Sequence, residues 1–320
     1  MTSQPLAADP TVGTAHDPAD GAPPPPGPGG RVRRRRGSVH GSPSTILTIA
    51  VLGAVAYFLL PLWWLAVAST KSNTGLFTSF GLWFADDFNL LQNIRDVFTF
   101  QNGIFLVWTR NTVFYAVVSA VGAAGLATAA GYAFAKLRFR GSTVLFAGIL
   151  GAIMIPLTAL AIPTYLLFAR VGLTDTPWAI ILPSLVSPFG VYLMRVYAAG
   201  AVPDSLLEAA RVDGASEARI FFSIALRLLA PGFVTVLLFA LVATWNNYFL
   251  PLIMLSSPEW YPLTVGLAQW QSTSQAGSGS QALFSMVITG SFVSIIPLIV
   301  AFLFLQRYWQ SGLAAGGVKQ

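Results

Sequence analysis

The chain has 320 residues, of which 55% are hydrophobic and only 9% are charged, whereas about a quarter of the residues of an ordinary soluble domain are charged. Its apolar surface therefore needs lipid as its solvent, and the composition predicts an integral membrane protein. The absence of cysteine excludes structural disulfides, thiolate metal sites and cysteine nucleophiles. Both histidines, His16 and His40, lie in a polar N-terminal segment, which excludes a histidine-based catalytic or metal centre in the body of the chain.

The first 44 residues form a polar segment that is rich in Pro, Gly, Ala and Asp and includes four consecutive prolines at 23–26. Such a segment cannot bury enough apolar surface to order itself, so we predict a disordered tail. A basic run at 31–36 precedes the first apolar stretch, 46–68, and could be the n-region of a signal peptide. Because that stretch is as long as a membrane-spanning helix and lacks a clear cleavage site, we interpret it as a retained first span.

Six apolar runs have the length that a helix needs to cross hydrocarbon while satisfying its own backbone hydrogen bonds. They cover residues 46–68, 111–135, 143–168, 178–194, 233–255 and 283–305. The sequence therefore predicts an all-α protein with six transmembrane helices, whose two chain ends lie on the same side of the membrane.

The positions of the basic residues indicate which side that is. If both chain ends are cytoplasmic, all 18 Lys and Arg residues lie inside except Lys71, Arg95, Arg110 and Arg170. This bias orients the protein with its N and C termini in the cytoplasm. The same distribution explains the net charge of +6 by membrane topology, so no nucleic-acid partner is expected. The long outside loops, 69–110 and 256–282, are either contacts for an extracytoplasmic partner or solvated connectors.

The six apolar runs contain no Asp, Glu, Lys, Arg or His away from their ends. A proton- or sodium-coupled carrier commonly has an ionisable group at membrane depth, so this pattern disfavours a secondary carrier. It does not exclude one, because backbone carbonyls can coordinate sodium. An intramembrane enzyme would need a nucleophile with a base, or a metal site, and the runs provide neither.

The loop between the fourth and fifth predicted spans, residues 199–231, has the pattern of two short helices joined at a glycine. Asp204 follows a proline and is a predicted N-cap, and Gly214 is a predicted C-terminal stop. Ser216 can cap a second helix that runs to Pro231. That helix would present one apolar face, formed by Phe221, Ile224 and Leu228. The small Ala209 and Ala210 and the charged Glu208 and Arg211 suit such an elbow to a cleft on another protein.

The spacing in this loop resembles the coupling loop of permease subunits of binding-protein-dependent ABC importers: Glu-Ala-Ala at 208–210, three residues, glycine at 214 and then a hydrophobic helix. Three further stretches are similar to the maltose-type carbohydrate branch of that family, namely 111–135 (Asn-Thr to Gly-Tyr-Ala-Phe-Ala), 245–252 (Trp-Asn-Asn-Tyr-Phe-Leu-Pro-Leu) and 312–319 (Gly-Leu-Ala-Ala-Gly-Gly-Val-Lys). The resemblance covers residues from about 108 to the C-terminus. One departure is Arg227 after Leu226, where the family usually has Leu-Pro.

The resemblance implies the MetI-like fold of ABC importer permeases, in a multi-pass protein of the bacterial cell membrane. It divides the chain into a disordered cytoplasmic tail (1–44), the first transmembrane helix with a long extracytoplasmic loop (45–107), the permease domain (108–310) with its coupling loop (199–231), and a cytoplasmic C-terminal tail (311–320).

The implied partners are ABC ATPase subunits, a second permease subunit that is a homologous but different chain, the lipid bilayer, and an extracytoplasmic binding protein that delivers a mono- or oligosaccharide. The chain has no Gly-rich phosphate loop followed by Lys-Ser/Thr, so no enzymatic activity and no cofactor of its own are expected. ATP and Mg would be bound by the ATPase subunits.

The resemblance also implies roles for individual residues. The expected ATPase contact consists of Glu208, Ala209, Ala210, Arg211, Asp213 and Gly214. In it Glu208 would pair with a basic residue, Asp213 would brace the elbow and Gly214 would supply a special backbone conformation. A second contact is expected from the tail residues Gly316, Gly317, Val318 and Lys319.

The substrate path is expected at the 245–248 segment, because aromatic faces stack on sugar C–H surfaces and amides bind sugar hydroxyls. Its candidate residues are Trp245, Asn246, Asn247 and Tyr248. Helix packing and interfacial anchoring explain the same residues almost as well. Two other functions stay open: an ABC permease for a solute other than a sugar, and an ATP-independent secondary carrier.

Overall fold

The computed structural model describes residues 45–275 and 283–317, including all side chains in these ranges except those of residues 157 and 307–317. The predicted disordered tail at 1–44 and the tail residues Val318 and Lys319 lie outside the described residues. Residues Met1–Gly53 and Ala54–Gln320 form separate units. The described part of the first unit is the beginning of helix α1, and the remaining elements belong to the second.

All regular secondary structure in the described part of the chain is helical. Its α-helices are α1 (Thr45–Ala68), α2 (Asn73–Thr78), α3 (Leu90–Thr99), α4 (Ile104–Lys136), α5 (Ser142–Ile153), α6 (Ala161–Arg170), α7 (Trp178–Ser184), α8 (Pro188–Ala201), α9 (Asp204–Val212), α10 (Glu217–Ile220), α11 (Leu226–Trp245), α12 (Phe249–Met254), α13 (Leu263–Gln275) and α14 (Leu283–Gly317). A π-helical turn, Phe221–Ala225, joins α10 to α11.

Five helical segments of the described residues are long and apolar enough to cross a membrane: Thr45–Ala68, Leu90–Lys136, Trp178–Ala201, Glu217–Trp245 and Leu283–Gln306. A sixth arises only if the bent pair Ser142–Ile153 and Thr158–Arg170 counts as one span. The predicted span over 143–168 is not one continuous helix in the structure, because the two halves of this pair meet at 97°. Pro156 lies in the break, where its ring prevents continuation of the preceding helix.

The predicted fourth span, 178–194, also differs from the structure. The helix is interrupted between α7 and α8, and Pro188 starts α8 at a position where a missing N–H costs nothing. Helix α8 then continues to Ala201, so Arg195 lies within it and not beyond its end. The guanidinium carbon of Arg195 lies 3.8 Å from the centroid of the Phe146 ring, a cation–π contact that accommodates the charge there.

The predicted fifth span, 233–255, is displaced along the sequence. The helix runs from Glu217 through the π turn and Pro231 to Trp245, so it does not stop at Pro231 as expected. The π turn also shifts the buried face by one residue. Phe221 and Ile224 pack against the core, but Leu229 is fully buried in the place predicted for Leu228, which is 37% exposed.

Helix α4 organises the bundle, and its contacts with α8 and α11 are the most extensive between helices of the described residues. Its 33 residues give it a length of about 50 Å. Its buried face is rich in small residues: Ala116, Ala120, Ala123, Ala127 and Gly131. Small residues let helix backbones approach closely in a membrane bundle. At one end of α4 a core cluster joins it to α8, α9 and α11, and at the other end a second cluster joins it to α3, α13 and α14.

Candidate functional site

The predicted elbow is present at residues 204–220, where α9 and α10 are joined by a four-residue turn. Pro203, and not Asp204, occupies the N-cap position, and Asp204 is the first helical residue. The side chain of Asp204 is instead engaged by Lys136 at the end of α4, with the Nζ atom 2.8 Å from Oδ1. The predicted N-cap role is therefore wrong, although a carboxylate in the first turn of a helix is still favourable.

The predicted end of α9 at Gly214 is confirmed. Gly214 has φ +80°, a left-handed conformation that other residues adopt at a cost. The N–H of Ala215 donates to the carbonyl of Ala210 at 3.0 Å, and the N–H of Gly214 donates to that of Arg211 at 3.0 Å. These two bonds define a Schellman motif, which satisfies the last carbonyls of the helix. A Cβ at position 214 would meet open space, so the backbone conformation, and not crowding, requires glycine here.

Two ion pairs, the only ones among the described residues, hold the elbow. Lys136 pairs with Asp204 and so ties α9 to α4; its side chain is only 6% exposed. The hydrogen bond and the charge of Lys136 lower the pKa of Asp204. Arg211 pairs with Glu217 across the joint, with Nε 2.6 Å from Oε1 and Nη2 3.3 Å from Oε2. This fork braces α9 against α10.

The ion pairs change two of the expected roles. Arg211 was expected to present its charge to a partner, and Asp213 was expected to brace the elbow. In the structure Arg211 is the brace, and neither Asp213 nor Glu208 joins an ion pair within the described ranges. Nothing in the sequence pattern indicated the pair of Lys136 with Asp204, because the two residues are 68 positions apart.

The outer surface of the elbow combines charged and apolar residues. Glu208, Ala209, Val212 and Asp213 are exposed, and Val212 is 88% exposed. Ala210 was expected on this surface, but it is only 8% exposed and packs into the core, because it lies on the inner face of α9. Val212 was not singled out from the sequence, although an exposed valine at the end of an amphipathic helix is the strongest apolar feature of this surface.

The inner surface of the elbow is firmly attached to the helix bundle. Leu207 and Ile220 are 2% and 0% exposed and belong to one core cluster with Tyr132 of α4 and Met194 of α8. The rings of Tyr132 and Phe221 lie 5.2 Å apart. The π turn continues α10 directly into α11, so the second helix of the elbow is continuous with the long helix that ends at Trp245.

The 245–248 segment marks the interruption between α11 and α12. Trp245 is only 8% exposed and belongs to the second core cluster, so its side chain packs between helices. Asn246 and Tyr248 are exposed and Asn247 is half-buried. The Nδ2 of Asn246 donates to the Val242 carbonyl at 3.0 Å, and the hydroxyl of Thr264 donates to the Asn247 carbonyl at 2.8 Å. Of the four predicted path residues, Asn246 and Tyr248 are the most accessible.

The loop after α12 is fastened to the beginning of α4. Four side chains on one face of α4 hydrogen-bond the backbone of residues 258–263 at 2.7–3.1 Å: Trp108, Asn111, Thr112 and Tyr115. This contact gives a structural reason for the Asn-Thr pair at 111–112. The first part of the predicted outside loop 256–282 is therefore held by specific hydrogen bonds to α4.

Asp175 fastens the same loop from the other side. Its Oδ1 accepts from the N–H groups of Ser256 and Ser257 at 2.9 Å each, and its Oδ2 accepts from the Ser257 hydroxyl at 2.6 Å. Burial alone would raise the pKa of Asp175, but these hydrogen bonds outweigh it and lower the pKa. Asp175 adopts a positive φ of 57°, which aspartate tolerates better than most residues. Sequence reasoning did not single it out.

The C-terminal tail expected from residue 311 is helical in its described part, because α14 continues to Gly317. Gly316 and Gly317 thus lie in the last turn of this helix. Within 45–275 and 283–317, no group of three or more His, Cys, Asp or Glu residues could hold a metal ion.

The comparisons with known proteins agree with this architecture. The family described as "binding-protein-dependent transport system inner membrane component" matches residues 122–313. The chain is 34% identical to the arabinooligosaccharides transport system permease protein AraQ of Halalkalibacterium halodurans, over 86% of this chain and 96% of the relative. It is 32% identical to the maltodextrin transport system permease protein MdxG of Bacillus subtilis, over 86% and 95% of the two chains.

The fold is also found in a solved structure. A chain in the crystal structure of a bacterial ABC transporter involved in the import of the acidic polysaccharide alginate matches with a TM-score of 0.72 and 25% identity, over 82% of this chain and 95% of that chain. Together with the apolar helices, these matches identify a multi-pass cell-membrane protein that acts in transport and not as an enzyme. The chain belongs to the family of inner-membrane permease components of binding-protein-dependent transport systems.

Proposed function

We propose that the chain is one of two permease subunits of an ATP-driven importer, and that the imported solute is a carbohydrate delivered by an extracytoplasmic binding protein. The elbow at 204–220 is the observation that carries the proposal. It is an exposed, braced pair of short helices, connected through α11 to the predicted substrate path. The named substrates of the similar proteins support a carbohydrate, since they are arabinooligosaccharides, maltodextrin and alginate.

In this proposal the bent pair of α5 and α6 counts as one span, which gives six spans and two cytoplasmic chain ends. The asymmetric distribution of Lys and Arg supports this orientation. It places the elbow in the cytoplasm and the fastened loop at 258–263 outside. The loop at 258–263 contacts residues 108–115 of α4 and the elbow contacts residues 132–136, so the two contacts lie about 35 Å apart along the helix axis.

The ATPase contact of the proposal differs from the one expected from the sequence. Glu208, Ala209, Val212 and Asp213 form the outer surface, with Val212 as the apolar centre that a cleft would bury. Arg211 and Gly214 act indirectly, because they hold the shape of the elbow. ATP and Mg are bound by the ATPase subunits, and the tail residues from Gly316 to Lys319 make a second contact with them.

Movement passes from this contact to the membrane through two connections. The Lys136–Asp204 pair links the elbow to α4, and the continuous helix from Glu217 to Trp245 links it to the interruption at Asn246. That helix has 29 residues, which corresponds to about 40 Å. A displacement of the elbow therefore displaces this helix and the 245–248 segment at its end. Asn246 and Tyr248 are exposed in that segment and can contact a sugar.

The test uses the complex purified with its ATPase subunits, its second permease and its binding protein in proteoliposomes. We expect ATP-dependent uptake of neutral oligosaccharides, measured with radiolabelled maltotriose and arabinotriose. The variant Glu208→Lys reverses the charge of the contact surface and should reduce sugar-stimulated ATP hydrolysis by about tenfold, which corresponds to the loss of one charge-assisted contact. Asp86→Lys changes an acid that is also exposed and lies on the other side of the membrane in this proposal, so it is the control.

Three results would contradict the proposal. Uptake that continues after ATP depletion would identify a secondary carrier. Normal stimulation of ATP hydrolysis by sugar in the Glu208→Lys variant would show that the elbow does not form the contact with the ATPase. Wild-type uptake rates in an Asn246→Leu variant that assembles normally would remove this residue from the substrate path.

A further inference from the structure

A pocket of about 420 Å³ with one polar and one apolar wall lies between α3 and the beginning of α14, at the end of α4 opposite to the elbow. We propose that this pocket binds a neutral sugar on the extracytoplasmic side, before the sugar reaches the 245–248 segment. The inference rests on the proposed function, since it assumes that the imported solute is a carbohydrate. Its central residues are Asn73, Gln92, Asn93, Asp96, Phe100 and Met286.

The buried amide of Asn93 is held in one orientation. Asn93 is 5% exposed, and its Nδ2 donates to the carbonyls of Ser69 and Lys71 at 2.9 Å each. Carbonyls can only accept hydrogen bonds, so the NH₂ group must face them. The Oδ1 atom has no donor among the described residues, and Asn93 is one of the residues that line the pocket.

Asn73 has the opposite orientation. Its Oδ1 accepts a hydrogen bond from the backbone N–H of residue 285 at 2.9 Å. The NH₂ group of Asn73 can therefore donate hydrogen bonds to a ligand. The pocket therefore has a fixed amide donor in Asn73 and a fixed amide acceptor in Asn93. A hydroxyl group both donates and accepts, so a polyhydroxylated ligand satisfies such a mixed wall better than a ligand that only donates or only accepts.

Asp96 adds the strongest acceptor. Its Oδ1 accepts from Nε2 of Gln92 at 2.7 Å, and its second oxygen can accept from sugar hydroxyls in a charge-assisted hydrogen bond. None of the residues that line the pocket is positively charged. An anionic ligand would face this carboxylate without a counter-charge, which favours a neutral sugar over an acidic one.

The other wall of the pocket is apolar and contains Phe100, Leu283 and Met286. The Phe100 ring is fixed edge-on against Trp270, with ring centroids 5.5 Å apart. A hydrated cation would gain nothing from this wall, whereas the C–H face of a sugar can pack against it. The volume also lies within the range of about 300–1,000 Å³ that is typical of small-molecule sites.

The absence of cysteine from the chain allows a site-specific test. In Gln92→Cys the thiol lies at the pocket wall, and in Leu91→Cys it lies on a neighbouring residue that is 80% exposed and outside the lining. The complete complex in proteoliposomes, without the binding protein, is labelled with a membrane-impermeant maleimide at rising concentrations of maltotriose or arabinotriose. We expect sugar to slow the labelling of Gln92→Cys several-fold and to leave Leu91→Cys unchanged.

A second substitution identifies the ligand contact. Adding Asp96→Asn to Gln92→Cys should raise the sugar concentration needed for half-protection by about tenfold, because a charge-assisted hydrogen bond is lost. Asp86→Asn in the same background should leave it unchanged. Equal labelling with and without sugar would overturn the inference. So would protection by Ca²⁺ but not by sugar.

Uptake of the trisaccharide is measured in the same proteoliposomes after ATP and the binding protein are added. This measurement distinguishes a failure of the pocket proposal from a failure of the proposed function. If the wild type imports a trisaccharide while Gln92→Cys shows no protection by it, the pocket is excluded and the proposed function stands. If neither trisaccharide is imported, the proposed function fails, and the present inference fails with it.

Discussion

Gly131 allows a sharp test of how the bundle supports the elbow. It lies on the buried face of α4, five residues before Lys136, where α4 crosses α8. A Cβ at this position would lie 2.5 Å from the Cβ of Met194 and 2.7 Å from the backbone nitrogen of Arg195. The backbone of α8 cannot rotate away as a flexible side chain would, so Gly131→Ala must push α4 and α8 apart.

The expected size of the effect follows from this overlap. Forcing an extra methyl group into a packed core costs about 1–3 kcal/mol. For a protein of roughly this size, 1 kcal/mol corresponds to about 2–4 °C in melting temperature. We therefore expect the apparent Tm of Gly131→Ala to fall by about 2–12 °C. Because α8 leads directly into the elbow, sugar-stimulated ATP hydrolysis should fall as well.

The measurement is thermal unfolding of the purified permease in nanodiscs, followed by tryptophan fluorescence. Gly125→Ala is the matched control, since it lies on the same helix and its Cβ would meet open space. Alanine favours a helix over glycine, so this control should have an unchanged or higher Tm. Equal Tm values for the wild type and both variants would refute the close approach of α4 and α8 at this point.

Further predictions concern the elbow and the fastened loop. Gly214→Ala should weaken the stimulation of ATP hydrolysis by sugar, because a left-handed conformation costs a non-glycine residue about 1–2 kcal/mol. Gly200→Ala is the control and should leave the stimulation unchanged, since a Cβ at position 200 would also lie in open space. Asp204→Asn should uncouple transport more strongly than Lys136→Met, since it leaves the nearly buried Lys136 ammonium without its counter-charge, whereas Asp204 is 76% exposed and stays solvated when Lys136 is removed. A double-mutant cycle of ATPase rates that gives no coupling energy would contradict this. The pKa of Asp175 is lower in the folded protein than in the unfolded chain, where it is about 4. The ionised Asp175 therefore stabilises the loop fully above the unfolded pKa, and this stabilisation is lost as the pH falls through the folded pKa. Limited proteolysis should therefore cleave loop 255–263 faster at acidic pH in the wild type, and faster at neutral pH in Asp175→Asn.

The membrane character and the position of the elbow could be predicted from local patterns. Long apolar runs separated by basic loops need only composition and length to be recognised, because hydrocarbon imposes both on any spanning helix. The end of α9 was equally predictable, since a glycine after an amphipathic segment is the usual terminator of a helix. The Glu-Ala-Ala spacing then led to the right family.

The breaks within the spans could not be predicted in the same way. Hydropathy sums a window of residues, so it does not register that the chain bends at Pro156 or that α11 stops at Trp245. The π turn at 221–225 is a further example, because a single additional residue per turn changes which side chains are buried without changing the apolar content. Such irregular backbone is tolerated where neighbouring helices satisfy its polar groups, and that depends on packing.

Chain length, apolar content and the spacing around Gly214 were thus sufficient to establish a helical membrane permease with a projecting elbow. The tertiary structure alone decided that Lys136 holds Asp204, that Arg211 braces the elbow, and that segments near residues 73–100 and 283–286 enclose one pocket. The physical reason is that helix formation and membrane insertion depend on neighbours in the sequence, whereas ion pairs, fixed amides and pockets depend on distances between residues that are far apart in the chain.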